Sequence, residues 1–126
     1  MEKELAVINR YFEAFSEKKS EDMLACYHVQ AKFSDEVCLD LNHEEIRKMW
    51  TMLLRRGKDL IIESDSPEIK NGLITTKWTA NYTFSQTGRM VTNKVTSKFK
   101  FKDGLIIEQE DTFDFHKWSK QAFGIM

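Results

Sequence analysis

Apolar residues recur at helical spacing in the first half of the chain and alternate with polar residues in the second half. An apolar residue at every third or fourth position predicts an amphipathic first helix over residues 2–17. Its apolar stripe consists of Leu5, Ile8, Phe12 and Phe15. Ser20, which two acidic residues follow, predicts the N-cap of a short second helix that ends near Tyr27 or His28.

A third helix is predicted to begin after Asn42. Asparagine is a favoured N-cap residue, and Glu44 and Glu45 suit the positive end of the helix dipole. Gly57 is predicted to end this helix. The stripe predicted to face the core consists of Ile46, Met49, Trp50 and Leu53.

From residue 59 onward the pattern is that of a half-buried sheet. The predicted strands cover residues 60–62, 73–84, 89–101 and 105–116. Asn71-Gly72 is a strong signal for a two-residue hairpin turn. The tail from Lys117, which holds Trp118 and Phe123, is expected to pack back on the body.

Helices followed by a long antiparallel meander predict an α+β fold in a single domain, residues 1–126. The last three strands are about twice the usual length of five or six residues, and long strands twist and coil. The expected architecture is a cone-shaped, curved antiparallel sheet wrapped around three N-terminal helices. A cone of this kind leaves room for a pocket at its open end.

Polar residues interrupt the rows that alternation places inside the sheet. A mostly apolar wall with a few convergent polar groups is typical of a small-molecule pocket. The predicted ligand-binding residues are Trp50, Trp78, Tyr82, Asn93, Ser97 and Gln109. The tryptophans are equally what a small core contains, and the polar residues could instead hold ordered water. The outer rows are rich in Thr and Lys, so that face is either solvated or a dimer surface.

Asp35 interrupts another apolar row. Alternation over residues 31–39 predicts a strand in which Asp35 shares one face with Phe33, Val37 and Leu39. A carboxylate in such a row loses solvation, which disfavours its charged form. Asp35 is therefore a candidate general base. The alternative is a carboxylate that hydrogen-bonds a tyrosine or a backbone amide and only shapes the pocket.

The composition is that of an ordinary globular domain, with 41% hydrophobic and 31% charged residues and a net charge of −1. Lys and Arg are scattered, so neither nucleic acid nor a membrane surface is an expected partner. No apolar run reaches membrane length and the charged residues 2–4 do not suit a signal peptide, so a cytoplasmic location is expected. Cys26 and Cys38 are expected to be reduced thiols. No metal-ligand spacing and no phosphate loop is found, so no metal and no cofactor is predicted.

Several segments resemble the superfamily that contains nuclear transport factor 2, ketosteroid isomerase and the SnoaL-like polyketide cyclases. Similarity to the isomerase is clearest in Arg10-Tyr11 and Ala31-Lys32-Phe33-Ser34-Asp35. Tyr11 and Asp35 are 24 positions apart, the separation that the isomerase branch uses between its oxyanion tyrosine and its catalytic base. Further segments resemble turns of the family and the end of SnoaL-like chains: Thr87-Gly88-Arg89, Phe99-Lys100-Phe101, Asp103-Gly104 and residues 111–118.

The resemblance implies a homodimer, which we expect to form through the outer sheet face, and a site with Asp35 as general base and Tyr11 as oxyanion donor. It does not fix an activity, because one fold hosts many functions. Glu36 stands where the isomerase has proline, and Ser97 stands where it has a second oxyanion-binding acid. A serine hydroxyl donates less strongly than that acid, which argues against steroid isomerisation.

Asp111 is a candidate second acid that would face Asp35 across the cone. Two such carboxylates could activate water, as in the limonene-epoxide hydrolase relatives, which also place an arginine between their acids. Arg89 is the only arginine in the predicted sheet, and its hairpin position does not suit that role. The alternative is that Asp111 pairs with a lysine or caps a loop.

The sequence therefore predicts a protein that binds a small apolar molecule with one or two oxygen functions. The corresponding chemical hypothesis is a cofactor-independent isomerase, cyclase or hydrolase with Asp35, Tyr11 and Asp111 as catalytic residues. The alternative is a non-enzymatic interaction or dimerisation module of the same fold, which is favoured if aromatic side chains fill the cone.

Overall fold

The computed structural model describes residues 1–124, which form four helices and six strands. The helices are α1 (Glu2–Ser16), α2 (Ser20–Leu24), α3 (His43–Arg56) and α4 (Phe115–Phe123). The strands are β1 (Tyr27–Ser34), β2 (Ile61–Ser64), β3 (Glu68–Lys70), β4 (Leu73–Phe84), β5 (Arg89–Lys102) and β6 (Leu105–Thr112). Ile125 and Met126, the last two residues of the predicted domain, lie outside the described residues. None of the helices within residues 1–124 is long and apolar enough to cross a membrane.

The strands form one sheet in the order β1-β6-β5-β4-β2, and β3 also pairs with β4. The predicted meander is confirmed, because β4, β5 and β6 pair antiparallel. The predicted Asn71-Gly72 turn is confirmed as well, since both residues have positive φ. The α+β class, with helices packed against a curved sheet, is therefore correct.

One pair of strands departs from the predicted antiparallel sheet. β1 pairs with β6 in parallel. A parallel pair needs a long crossover connection rather than a hairpin, and here α3 and the strands β2 to β5 supply it. The relative direction of β1 and β6 was therefore not fixed by any local turn signal.

The start of α3 follows its sequence closely. The Asn42 side chain accepts a hydrogen bond from Glu45 N at 2.9 Å, and the Glu45 carboxylate accepts one from Asn42 N at 3.0 Å. The predicted buried stripe is wrong at its end, because Leu53 is 44% exposed and Leu54 is buried instead. The buried residues are four positions apart, which keeps them on one helix face. They are Ile46, Trp50 and Leu54.

α2 is shorter than predicted. It ends at Leu24, and Tyr27 already begins β1. Ser20 is the first helical residue rather than the cap, since Lys19 occupies the N-cap position without a side-chain hydrogen bond.

The strand predicted through residues 31–39 ends at Ser34. Val37 and Leu39, which were expected to be buried beside Asp35, are 67% and 80% exposed. The physical reason is a turn that the Asp35 side chain stabilises. Its Oδ1 accepts hydrogen bonds from Val37 N at 2.8 Å and from Cys38 N at 2.7 Å. Local side-chain bonds of this kind compete with strand pairing.

The last predicted strand also ends early, at Thr112, and a helix follows. Asp114 caps α4 by accepting a hydrogen bond from Lys117 N at 3.0 Å. The expected packing of the tail on the body is confirmed, because Trp118 Nε1 donates to the Tyr82 hydroxyl at 2.7 Å. α4 thus packs against the part of β5 that extends beyond the end of β6.

Candidate functional site

Seven hydrogen-bonded side chains form a continuous polar chain between the helices and the sheet. Each of them is at most 8% exposed. They come from α1, β1, α3, β4, β5 and β6. In order along the chain they are Trp50, Tyr27, Tyr11, Gln109, Asp111, Ser97 and Trp78. Buried polar groups need partners of this kind.

The sheet register brings the central members of the polar chain together. Ser97 on β5 pairs directly with Asp111 on β6. Gln109 lies two residues before Asp111 on the same strand, so both side chains point to the same face. The expectation that these three alternating positions face the interior is confirmed by their burial.

Asp111 carries the charge of the polar chain. Its Oδ1 accepts hydrogen bonds from Ser97 Oγ at 2.6 Å and from Gln109 Nε2 at 3.0 Å. Ser97 Oγ in turn accepts from Trp78 Nε1 at 2.8 Å. Neither alternative foreseen for Asp111, a lysine pair or a loop cap, is present among the described residues.

The second oxygen of Asp111 is free. Oδ2 has no hydrogen-bond partner within residues 1–124. In that part of the chain, Thr76 Oγ1 is the one side-chain polar atom that is both fully enclosed and unpartnered. Oδ2 is therefore not fully enclosed, although Asp111 as a whole is only 5% exposed.

Burial raises the pKa of the Asp111 carboxyl to about 7. Loss of hydration is the main cause, and the nearby charge of Asp35 adds to it. Hydrogen bonds from Ser97 and Gln109 act in the opposite direction, because they stabilise the carboxylate. A carboxyl group that titrates near neutral pH has the properties of a general acid or base.

The two tyrosines orient Gln109. The Tyr27 hydroxyl donates to Gln109 Oε1 at 2.5 Å and accepts from Trp50 Nε1 at 3.2 Å. Gln109 Nε2 also lies 3.3 Å from the Tyr11 hydroxyl. With its carbonyl held by Tyr27, the amide can only present its NH₂ group to Asp111. Burial raises the pKa of both tyrosines, which therefore remain neutral.

Tyr11 lies deeper than an oxyanion donor facing a ligand would. Its side chain is fully buried. Its hydroxyl lies 3.3 Å from that of Tyr27, and because Tyr27 has a single proton, which goes to Gln109, the Tyr11 proton points to Tyr27. A role of Tyr11 in stabilising an oxyanion stays a prediction that requires this contact to open.

Asp35 lies beside Asp111, and not across the cone from it as predicted. The parallel register pairs Ser34 with Glu110, so the next residues along the two strands are Asp35 and Asp111. Asp35 is half-buried. Two backbone amides hold its Oδ1, while Oδ2 has no partner in residues 1–124. Each acid thus has one fixed and one free oxygen.

Apart from Ser97 and Gln109, which hydrogen-bond Asp111, the predicted ligand-binding residues fall into two groups. Trp50 and Trp78 pack on Phe15, with ring centroids 4.9 and 5.1 Å apart, and so fill the deep part of the cone. Tyr82 and Asn93 are half-buried on the strands that α4 covers, and Asn93 makes no side-chain hydrogen bond within residues 1–124. Tyr82 and Asn93 are thus more accessible to solvent than the two tryptophans.

Two surface grooves lie away from the polar chain. One of about 490 Å³ follows the outer side of α3, and one of about 490 Å³ runs between α1 and α2. Neither groove is lined by a member of the polar chain. Arg89 also lies apart, since its Nε donates to the carbonyl oxygen of Gln121 at 2.8 Å.

Two residues of the site were missed in the sequence. The sequence pattern predicts that the second helix ends near Tyr27 or His28, whereas β1 begins at Tyr27 and the side chain of this residue is buried. Thr76 lies on the inner face of β4, between Ile74 and Trp78, and is 1% exposed. The alternation of inward and outward residues along this strand was the signal that could have identified Thr76 as an inward-facing residue.

Residues 8–109 match the sequence profile of the SnoaL-like domain. Comparison with curated protein sequences gives no significant match. An NTF2-like protein of unknown function from Burkholderia pseudomallei has a TM-score of 0.85 and 17% identity, with 98% of this chain and 99% of that chain covered.

Two further solved structures carry names that refer to enzymes. A protein of Jannaschia sp. named as a SnoaL-like polyketide cyclase has a TM-score of 0.84 and 10% identity, over 98% of this chain and 94% of that chain. An LEH-like epoxide hydrolase of M. tuberculosis has a TM-score of 0.75 and 12% identity, over 97% of this chain and 90% of that chain. At these identities the likeness shows the fold.

Proposed function

We propose that this chain, which belongs to the SnoaL-like domain family, binds a small, largely apolar molecule with one or two oxygen functions. The ligand would lie between the concave face of the sheet and α4, above Trp50 and Trp78. The observation that carries the proposal is the free Oδ2 of buried Asp111. Half-buried Asn93 and Tyr82 supply polar groups at the same end of the sheet.

The two adjacent acids support cofactor-independent acid–base chemistry. Asp35, through its free Oδ2, accepts a proton from a carbon next to a carbonyl or from water. Asp111, whose pKa of about 7 keeps a large protonated fraction at neutral pH, donates a proton to the oxygen on which negative charge develops. Isomerisation, cyclisation and hydrolysis all need this division of roles. The names polyketide cyclase and epoxide hydrolase among the structural neighbours agree with it.

Ligand binding can be tested with two flat probes, 2-naphthol and 2-hydroxy-1,4-naphthoquinone. Each is titrated into the isotope-labelled protein, and amide and carboxyl NMR signals are followed. We expect shifts at Asp111 and Asn93, and at least tenfold weaker binding by Asp111→Asn. The matched control is Asp65→Asn, which removes an exposed carboxylate. Equal affinities of both variants and the wild type would contradict the proposal.

A second candidate function, an interaction or dimerisation module, is favoured by the packing of Trp50 and Trp78 on Phe15. We propose that such a module forms a homodimer through the outer sheet face, where Ile61 and Met90 are exposed apolar side chains among polar ones. Light scattering should then give a dimer mass for the wild type and a monomer mass for Met90→Asp. Met52→Asp, on the exposed side of α3, is the control and should stay dimeric.

A cytoplasmic location agrees with both functions. Cys26 is buried, Cys38 is half-buried, and both are free thiols. Free thiols are usual in reducing compartments.

A further inference from the structure

Thr76 is a buried hydroxyl without a partner. It is 1% exposed, and its Oγ1 makes no hydrogen bond within residues 1–124. An enclosed hydroxyl in this state loses its hydration without compensation. Native proteins seldom tolerate that loss unless a water molecule or a function accounts for it.

The position of Thr76 explains what it can reach. It pairs directly with Ser97 across β4 and β5, and Ser97 pairs directly with Asp111 across β5 and β6. The three side chains therefore form one row across the concave face. Directly opposed residues have Cβ atoms about 4.5–5.5 Å apart, a separation at which one water molecule can bridge two hydroxyl groups.

Ser97 has capacity for one more hydrogen bond. Its Oγ donates its proton to Asp111 and accepts from Trp78 Nε1. A hydroxyl oxygen has two lone pairs, so one remains free. Ser97 lies directly opposite Thr76, so this lone pair is available to a hydrogen bond that comes from the side of Thr76.

We propose that Thr76 is a positioning residue for Asp111, and that its hydroxyl donates to Ser97 through one internal water molecule. The row then runs Thr76, water, Ser97, Asp111, with each member donating to the next. Donation to Ser97 polarises its O–H bond and strengthens the hydrogen bond that Ser97 gives to the carboxylate. The inference deepens the proposed function, since it names a residue that adjusts the acid of the proposed site.

The test compares Thr76→Val, which removes the hydroxyl at nearly constant shape, with Thr76→Ser, which keeps it. The readout is the NMR titration of the Asp111 carboxyl carbon in the absence of any ligand. We expect Thr76→Val to move the titration midpoint upward by a few tenths of a pH unit, because the carboxylate loses support. Thr76→Ser should restore the wild-type midpoint. Thr79→Val, on the outer face of the same strand, is the matched control and should leave the midpoint unchanged.

The melting temperature is a second readout. It should change in opposite directions for a hydroxyl that is bridged to Ser97 and for one that is unsatisfied. If the hydroxyl is bridged to Ser97, Thr76→Val should lower the melting temperature. If it is an unsatisfied group in a dry core, the same substitution should raise it. A higher melting temperature or an unchanged Asp111 midpoint would overturn the proposal, as would a high-resolution crystal structure without water density between the two hydroxyls. None of these readouts depends on a small molecule being bound, so failure of the proposed function would leave them interpretable.

Discussion

Replacing Asp111 with asparagine tests the electrostatic basis of the site. The shape of the side chain is kept, and the amide oxygen can still accept from Ser97 and Gln109 in place of Oδ1. What is lost is the ability to carry a negative charge. The change in stability with pH therefore isolates the cost of ionising this buried group.

The structure fixes the sign and size of the effect. The pKa of Asp111 rises from 3.8 to about 7 on folding, so the folded state binds the proton more tightly than the unfolded state. Between about pH 4 and pH 7 the unfolded state releases this proton first, and stability falls as the pH rises. Above that range the wild type has lost roughly 4 kcal/mol through this one group.

Asp111→Asn does not suffer this loss. We expect it to be about 2–4 kcal/mol more stable than the wild type at pH 8, the lower value allowing for a buried amide NH₂ with incomplete hydrogen bonding. At pH 4 the two proteins should be nearly equal.

Urea unfolding from pH 4 to pH 8 measures this difference, and subtracting one curve from the other cancels the titration of all other groups. Asp65→Asn serves as the control for removing a charge at the surface. A constant difference between wild type and Asp111→Asn over the whole range would refute the assignment of a raised pKa to Asp111.

Three further predictions concern other contacts of the polar chain and of α4. Tyr27→Phe should cost about 1–3 kcal/mol in urea unfolding, since it leaves buried partners without the hydroxyl; an unchanged stability would contradict the tyrosine contacts. Asp35→Asn should lower the NMR titration midpoint of Asp111, because the removed charge raises it; an unchanged midpoint would place the acids too far apart to interact. Gln121→Ala should accelerate hydrogen exchange at Thr92 N, which donates to the Gln121 side chain at 2.8 Å, while the amides of the sheet centre keep their wild-type rates.

The parts of the fold that were predictable from sequence depend on local signals. Alternation with a period of two placed Ser97, Gln109 and Asp111 on the inner face, because strand geometry leaves only two sides. The Asn71-Gly72 turn fixed the start of the meander, and the capping residue of α3 fixed its first turn. Each of these signals acts within a few residues of the structure it specifies.

The errors arose where a local pattern allowed two outcomes. Alternation around Asp35 fitted a strand, but the side chain of Asp35 bonds two backbone amides and forms a turn instead. Phe113 and Phe115 continued the phase of β6, while the cap at Asp114 began a helix. The hydrogen bond from Tyr27 to Gln109 joins residues that are 82 positions apart, and no local pattern encodes such a contact.

The free oxygen of Asp111 also determines how ligand affinity should depend on pH. A ligand whose hydroxyl donates to Oδ2 binds the ionised carboxyl better, so its affinity should rise between pH 6 and pH 8. A ligand whose carbonyl accepts a proton from Oδ2 binds the neutral carboxyl better, so its affinity should fall over the same range. The sign of the pH dependence thus identifies which functional group of the ligand meets the acid.

For 2-naphthol, whose oxygen function is a hydroxyl, we expect tighter binding at pH 8 than at pH 6. The same linkage relation governs binding and folding, but with opposite sign, because ionisation of Asp111 strengthens binding of this ligand and weakens folding. Isothermal titration calorimetry at the two pH values measures the ratio of the dissociation constants, and Asp111→Asn should abolish the difference. A ratio that persists in Asp111→Asn would assign the pH dependence to another group and would contradict a hydrogen bond from the ligand to Oδ2.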